Sequence, residues 1–193
     1  MNDKIKDVLK SSISVKNEII SNEELIEKIS NAANEIVEAF IRGNRVYFCG
    51  NGGSAADAQH LAAEFSGRFY YDRPPLDAEA LHVNTSYLTA VGNDYSFDEI
   101  YARLVKGKGV KGDILVALST SGNSKNILRA IAEAHRIGMT VVGFTGITGG
   151  LMKESCDILI NVPSSDTPRI QESHITVGHI ICEIVESSIF PRS

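Results

Sequence analysis

Apolar residues near the start of the chain are spaced three or four positions apart, as on one face of a helix. The first such series predicts an N-terminal helix, and it comprises Ile5, Val8, Leu9 and Ile13. A second helix is predicted from the segment SNEEL, where Ser21 and Glu24 have the S-x-x-E spacing of a capping box. Gly43 is predicted to end this second helix.

The second helix has an unusually wide apolar face. Its main stripe is Leu25, Ile29, Ala32, Ile36 and Phe40, flanked by Ile26, Ala33 and Val37. A face this wide exceeds what a surface helix normally buries, which favours packing against a second chain.

From Arg45 onward the pattern changes to short apolar runs, each followed by an amphipathic segment. The runs are RVYFCG, LHVN, DILVALS, TVVGFTG and DILINVP. The segments are SAADAQHLAAEF, SYLTAVG, SKNILRAIAEAHRIG, a short LMKES, and a long final helix from about Pro168 to Ile189. Uninterrupted apolar runs are typical of parallel strands buried on both faces. The sequence therefore predicts a three-layer α/β domain with right-handed crossovers.

Composition and charge restrict the class of protein. The formal net charge of the 193 residues is −5 and there is no basic tract, which argues against a nucleic-acid partner. Three widely spaced cysteines without a C-x-x-C motif favour a reducing compartment. The N-terminus lacks the apolar region of a signal peptide, and no apolar run reaches the ~18 residues of a membrane span. We expect a soluble cytoplasmic protein without a membrane partner.

Two loops between a strand and a helix have the composition of a phosphate site. They are Gly50–Ser54 and Ser119–Ser124, and the second has four hydroxyl side chains in six residues. In a doubly wound sheet such loops lie beyond the carboxyl ends of the strands, where helix amides point at a ligand. The alternative, that these hydroxyls only cap the helix, is less favoured for so dense a cluster.

The first loop also fits the dinucleotide motif G-x-G-x-x-A through Gly50, Gly52 and Ala55. That motif needs an acidic residue about 20 positions later, at the end of the next strand. Asp72 has the spacing but lies in a loop beside Pro74 and Pro75. We therefore interpret the loop as one that lets a small ligand approach the backbone.

His60 and Glu64 are four residues apart on the helix after the first loop, so they share a face. They could bind one metal ion or one substrate, or form only a surface pair. The final helix adds Gln171 and His179, although a histidine among isoleucines is more often a core residue. His82, His135 and His174 are interpreted as structural or solvent-exposed.

Four motifs in order, CGNGGSAADAQHLAAEFSGR, GNDYSF, STSGNS and RIQESHITVGH, resemble the sedoheptulose 7-phosphate isomerases, or phosphoheptose isomerases, of the SIS fold. The resemblance covers the chain from the N-terminal helices to the last helix. It implies a flavodoxin-like parallel sheet, with 1–193 as a single SIS domain and 1–43 as its helical extension. It also implies a homotetramer that converts sedoheptulose 7-phosphate to D-glycero-D-manno-heptose 7-phosphate through an enediol. The product would enter heptose synthesis for lipopolysaccharide or capsule.

The same resemblance implies a role for individual residues. Glu64 and His179 would be the catalytic pair. The ligands of one Zn²⁺ would be His60, Glu64, Gln171 and His179. Substrate contacts would come from Asn51, Gly52, Gly53, Glu64, Asn93, Asp94, Ser119, Thr120, Ser121, Ser124 and Gln171. At Pro168 we expect a small or acidic residue in some members, so a polar contact from that position is not carried over.

Three questions stay open at this stage. A metal-bound Glu64 should be a weaker base, so either the metal moves during turnover or it serves structure and binding. Gln171 and His179 lie about 12 Å apart along a helix and diverge by roughly 80°, so we expect a neighbouring chain to donate one of them. The alternative function is a non-catalytic phosphosugar-binding SIS regulator, such as a protein associated with a replication initiator, or an isomerase of another phosphosugar.

Overall fold

A computed structural model describes residues 1–192 of the chain as a five-stranded parallel sheet with helices on both faces. The strands are β1 (Val46–Gly50), β2 (Ala78–Ala80), β3 (Ile114–Leu118), β4 (Thr140–Thr145) and β5 (Ile158–Asn161). The α-helices are α1 (Asn2–Ile20), α2 (Glu23–Ile41), α3 (Gly53–Ser66), α4 (Thr85–Asp94), α5 (Ile100–Lys108), α6 (Lys125–Ile137) and α7 (Thr167–Ile189). Two 3₁₀ turns occupy Phe97–Glu99 and Gly150–Glu154.

The strand order β2-β1-β3-β4-β5 is that of the flavodoxin-like sheet. The chain leaves β1 toward one edge, returns to β3 on its other side, and continues to β5. The crevice between the ends of β1 and β3 is therefore the topological switch point, where such sheets bind ligands. The predicted α/β fold class is confirmed.

The sheet has a hydrophobic core on each face. Val46 and Phe48 of β1 point into the core formed with α1, α2, α3 and α7. Tyr47 and Cys49, the alternate residues of the same strand, point into the core formed with α4, α5 and α6. Because both faces are covered, the central strands are apolar at every position, as predicted.

Three local predictions differ from the structure. The strand expected at LHVN ends earlier, at Ala80, because Asn84 already caps α4 by accepting a hydrogen bond from the Tyr87 amide. The cap of α2 is Asn22, whose side chain accepts from the Leu25 amide at 3.0 Å, whereas Ser21 ends α1. Helix α5 was not predicted, although its buried residues have helical spacing.

Most of the wide apolar face of α2 is covered within the chain. Leu25, Ile29 and Ile36 are buried because α2 packs against α7 and β5, whereas Ile26 on the flank is 41% exposed. The main stripe therefore needs no second chain to cover it, because a helix between two other elements also buries a wide stripe. The stripe of α1 is different: Ile5, Leu9 and Ile13 are 53%, 59% and 57% exposed.

The structure also bears on the cysteines and on the length of the apolar helices. The three cysteines are free thiols in the described residues, which agrees with the expectation of no disulfide framework. Within residues 1–192, none of the helices combines the length and the apolar character that crossing a membrane requires.

Candidate active site

Helices α3 and α7 lie side by side and run in the same direction, which brings their polar residues into register. Near its start α3 meets Gln171, since a methyl group on Gly53 would lie 2.5 Å from Gln171 Nε2. Further along, Leu61 packs on Gly178. The two contacts are thus seven residues apart on α7 and eight on α3, so each turn of one helix faces a turn of the other.

The close approach at Gly178 yields the first prediction. A Cβ there would lie 2.6 Å from both methyl carbons of Leu61, which is itself buried. Gly178→Ala should therefore push α3 from α7, lowering the free energy of unfolding by about 1–3 kcal/mol and reducing turnover. Chemical denaturation measures the stability, and steady-state kinetics measure the turnover. Gly107→Ala on α5 is the control, because its added methyl meets open space. Equal stability and activity in the two variants would show that the α3–α7 spacing is unimportant.

His60, Glu64 and His179 converge where α3 and α7 meet. His60 Nε2 lies 2.9 Å from His179 Nε2 and 3.2 Å from Glu64 Oε1. One ligand atom from each of the three residues falls within 4.8 Å of the others. Side-chain exposures of 49% for His60 and 22% for Glu64 leave the cluster open to a ligand.

The donor set suits a divalent metal ion. Two imidazole nitrogens face each other and a carboxylate oxygen, so electron pairs converge on one point unless a proton or a cation lies between them. Tetrahedral zinc holds its ligand atoms about 3.3 Å apart, close to the separations of His60 Nε2 from its two partners. Imidazole and carboxylate are also the ligands of catalytic zinc sites.

A single chain supplies all three of these residues. The expectation was that a neighbour donates His179 or Gln171; it was wrong for His179, because it considered α7 alone. α3 runs beside α7, so His179 meets His60 while Gln171 meets Gly53, two turns earlier on α3. Gln171 therefore lies against the first loop in its own chain, and its role as a fourth ligand stays a prediction.

The first loop, Gly50–Ser54, turns sharply at Gly52, which has φ +55° and ψ −122°. Gly52 and Gly53 are exposed, so a ligand can reach the backbone where α3 begins. Asn51 is half-buried, and its side-chain amide is hydrogen-bonded to Asn126. The dinucleotide alternative is not supported: Asp72 lies in the loop before β2, and that strand ends at Ala80.

The second loop, Ser119–Ser124, borders a cavity of about 280 Å³. Thr120 and Ser121 line it directly. Ser119 lies deeper, 4% exposed, and its hydroxyl is 3.0 Å from that of Ser124, the N-cap of α6. Hydroxyls and the amides at the start of α6 can together surround a phosphate group.

The cavity has further polar walls that sequence reasoning missed. They are Thr148, Ser164, Ser165 and Thr167. Thr148 follows β4, and the serine pair follows β5 just before α7. Applying the carboxyl-end rule to every strand, and not only to the two glycine-containing loops, would have found them.

Asn93 and Asp94 are separated from this cluster in the fold. They end α4, which packs on the other face of the sheet with α5. Both are exposed, and the Asn93 amide donates to Asp94 Oδ1 at 2.9 Å. Their substrate contact stays a prediction.

The remaining histidines lie elsewhere, as expected. His174 is fully buried, with Nε2 3.1 Å from the Thr145 carbonyl oxygen. Burial lowers the pKa of His174 to about 4, so it is neutral at physiological pH. His135 is exposed and pairs with Asp157. Burial also lowers the pKa of the half-buried His82.

A buried ion pair fixes the far end of the α3–α7 contact. Arg73 donates to the carbonyl oxygens of Glu64 (2.8 Å) and Phe65 (2.6 Å), where α3 ends, and its Nε donates to Glu186 on α7 at 3.1 Å. Burial tends to raise the pKa of Glu186, but hydrogen bonds from the Tyr70 and Phe69 amides and from Arg73 outweigh it, so the pKa is lowered. Arg73 therefore links the end of α3 to α7, the two helices that carry His60, Glu64 and His179.

Comparisons with known proteins identify the family of this chain. The family model of the SIS domain matches residues 10–146. The phosphoheptose isomerase of Aneurinibacillus thermoaerophilus is 51% identical over 98% of this chain and 96% of its own length. Phosphoheptose isomerase 2 of Campylobacter jejuni is 51% identical over 100% of this chain and 96% of its own. The solved phosphoheptose isomerase of Neisseria gonorrhoeae superposes with a TM-score of 0.90 at 40% identity, covering 96% of this chain and 98% of that one. This chain belongs to the phosphoheptose isomerases of the SIS-domain family.

Proposed function

We propose that this chain converts sedoheptulose 7-phosphate to D-glycero-D-manno-heptose 7-phosphate. The observation that carries the proposal is the convergence of His60, Glu64 and His179 in one chain, where α3 meets α7, the helix whose first turn also lines the hydroxyl-rich cavity. An aldose–ketose isomerase needs both an acid–base pair and a phosphate site. A module that only binds phosphosugars needs the phosphate site alone.

The chemistry requires a proton to move between two adjacent carbons. Glu64 removes a proton from C1 of the ketose while His179 gives one to O2, which forms the cis-enediol. His179 then takes the O1 proton while Glu64 returns a proton to C2, which gives the aldose and restores both residues. The Ser119–Ser124 loop holds the distant phosphate, and that binding energy positions C1 and C2 beneath Glu64.

We further propose that the metal at this cluster is one Zn²⁺, held by His60, Glu64 and His179, with Gln171 as the fourth ligand. When bound, Zn²⁺ acts as a Lewis acid toward the substrate oxygens. Support comes from the donor set and its spacing.

The zinc proposal is tested by metal analysis of purified protein. We expect about one zinc per chain, loss of turnover after chelation, and recovery with added zinc. His60→Ala should weaken zinc binding by more than the ~10–100-fold that loss of an outer-shell partner causes. His135→Ala is the matched control, since this exposed histidine pairs with Asp157 elsewhere. Undiminished zinc affinity in His60→Ala would show that the ion binds elsewhere.

The activity itself is tested by incubating the zinc-loaded protein with sedoheptulose 7-phosphate and separating ketose from aldose by anion-exchange chromatography. We expect conversion to an equilibrium mixture, reached from either sugar. Binding without conversion would instead assign the chain to the phosphosugar-binding regulators. Conversion of a different phosphosugar alone would correct the substrate.

We also propose that the protein assembles as a homotetramer, with substrate sites completed between chains. The exposed apolar stripe of α1 supports assembly, since Ile5, Leu9 and Ile13 would otherwise face water. A contribution of Asn93 and Asp94 from a neighbouring chain would agree with their distance from the cluster in the fold. The cytoplasmic location and the supply of heptose to lipopolysaccharide or capsule stay predictions.

A further inference from the structure

Two asparagines form a reciprocal amide pair between the two ligand loops. The Asn51 amide nitrogen donates to Asn126 Oδ1, and the Asn126 amide nitrogen donates to Asn51 Oδ1, each at 2.9 Å. The residues are 75 positions apart in the sequence, and Asn126 is 2% exposed. Sequence reasoning assigned no role to Asn126 and gave Asn51 a direct contact with substrate.

The pair spans the topological switch point of the sheet. Asn51 directly follows β1, and Asn126 is the second residue of α6, just after the Ser119–Ser124 loop. Strands β1 and β3 are neighbours, with Gly50 opposite Leu118 at their carboxyl ends. The amide pair therefore closes the base of the crevice in which the fold binds its ligand.

The side-chain amide of Asn51 is committed to this contact. Both its oxygen and its nitrogen are paired with Asn126, and Asn126 Oδ1 also accepts from the Ile127 amide at 2.9 Å. A buried amide that lost these partners would be left without hydrogen bonds, which is unfavourable. If the Asn51 side chain turned toward a substrate, the buried side-chain amide of Asn126 would lose its hydrogen bonds to Asn51. The Tyr101 hydroxyl donates to the Gly50 carbonyl oxygen and so also holds the end of β1, where the loop begins.

We propose that Asn51 and Asn126 are positioning residues, which set the distance between the phosphate loop and the glycine loop from which α3 and Glu64 extend. In this assignment Asn51 contacts substrate through its backbone only. The inference rests on the proposed isomerase function. In a sugar phosphate held at the Ser119–Ser124 loop, the length of the sugar sets the distance from the phosphate to C1 and C2. The spacing of the two loops therefore decides whether those carbons lie beneath Glu64.

The test uses Asn126→Asp, which keeps the shape of the side chain. At alkaline pH the introduced carboxylate has no donor, so one of its oxygens faces Asn51 Oδ1 and half of the pair is broken. After protonation the carboxyl group again has one donor and one acceptor, as the amide has. We expect kcat to fall at least ~10-fold at pH 8, the loss that a small misplacement of the reacting atoms can cause. The ratio of variant to wild-type kcat should then rise toward one as the pH is lowered.

Controls separate positioning from other roles. Asn34→Asp, on an exposed position of α2, should show a constant kcat ratio across the pH range. Affinity for inorganic phosphate, measured by calorimetry, should change less than kcat in Asn126→Asp, because the phosphate loop itself is intact. Thermal unfolding of each variant, followed by circular dichroism, shows whether the change in kcat comes from a folded protein.

A double-mutant cycle provides a second route that does not depend on the acid variant. If the two asparagines act as one unit, Asn51→Ala, Asn126→Ala and the double variant should lose similar amounts of kcat. Independent, multiplying losses would mean that Asn51 contacts substrate directly, and would overturn the proposal. A pH-independent ratio in a folded Asn126→Asp would also overturn it. Absence of turnover in wild type would instead be a failure of the proposed function.

Discussion

Glu64→Gln is expected to lower kcat by about 10²–10⁴-fold, the contribution typical of a positioned general base. The substitution keeps the size and hydrogen-bonding reach of the side chain but removes its ability to accept a proton from C1. Glu64 is 3.2 Å from His60 and contributes to the metal cluster, so zinc content must be measured in the same preparation. Steady-state kinetics on fully zinc-loaded variant protein provide the decisive rate.

Glu27→Gln is the matched control for this substitution. Glu27 is exposed on α2, so the same chemical change should leave kcat and zinc content at the wild-type level. If zinc-loaded Glu64→Gln kept kcat within tenfold of wild type, another group would have to be the base.

Arg73→Met is expected to lower the free energy of unfolding by about 3–5 kcal/mol, the cost of leaving one charge of a buried pair unpaired. The side chains of Arg73 and Glu186 are only 2% and 1% exposed. Removing the guanidinium also frees the carbonyl oxygens of Glu64 and Phe65 at the end of α3. For a chain of this length the melting temperature should fall by roughly 6–20 °C.

Two further variants show whether burial is the cause. Arg136→Met breaks an exposed ion pair with Glu133 and should cost no more than about 1 kcal/mol. Combining Arg73→Met with Glu186→Gln removes the unpaired charge and should recover part of the stability, although the one amide oxygen can accept from only one of the Phe69 and Tyr70 amides, which now bond separate carboxylate oxygens. If Arg73→Met were as stable as Arg136→Met, the buried Arg73–Glu186 ion pair would contribute nothing to the free energy of unfolding.

The fold was predictable from sequence because its main signals are local. The run ILVAL in β3 is apolar at every position, and VVGF in β4 has no polar side chain, as expected of strands covered on both faces. β2 was misplaced because only three of its residues pair with β1, and such a short strand leaves little pattern. Helix α5, which follows a 3₁₀ turn, was missed although its apolar residues have the right spacing.

The candidate site was predictable only as far as it depends on one helix. The four-residue spacing of His60 and Glu64 fixes their common face, and the glycine and hydroxyl loops follow from the ends of β1 and β3. The meeting of His60 with His179 depends on how α3 packs on α7, which is a long-range property. Treating α7 alone led to the expectation that a second chain donates His179 or Gln171, which was wrong for His179.

Partners far apart in the sequence were hidden for the same reason. Arg73 lies in a proline-containing loop that has no periodicity, and its partner Glu186 is 113 residues away. Asn126 lies at the start of a helix, where an asparagine is unremarkable in sequence. Only the sheet topology, which places the end of β1 beside that of β3, brings Asn126 to Asn51.

The central claim is that Glu64 transfers a proton between C1 and C2 of the sugar phosphate within this cluster. Proton NMR of zinc-loaded enzyme with sedoheptulose 7-phosphate in deuterated water tests it most directly. The account predicts new aldose signals with deuterium at C2, and neither of these with Glu64→Gln. Aldose formed equally well by zinc-loaded Glu64→Gln would contradict the account.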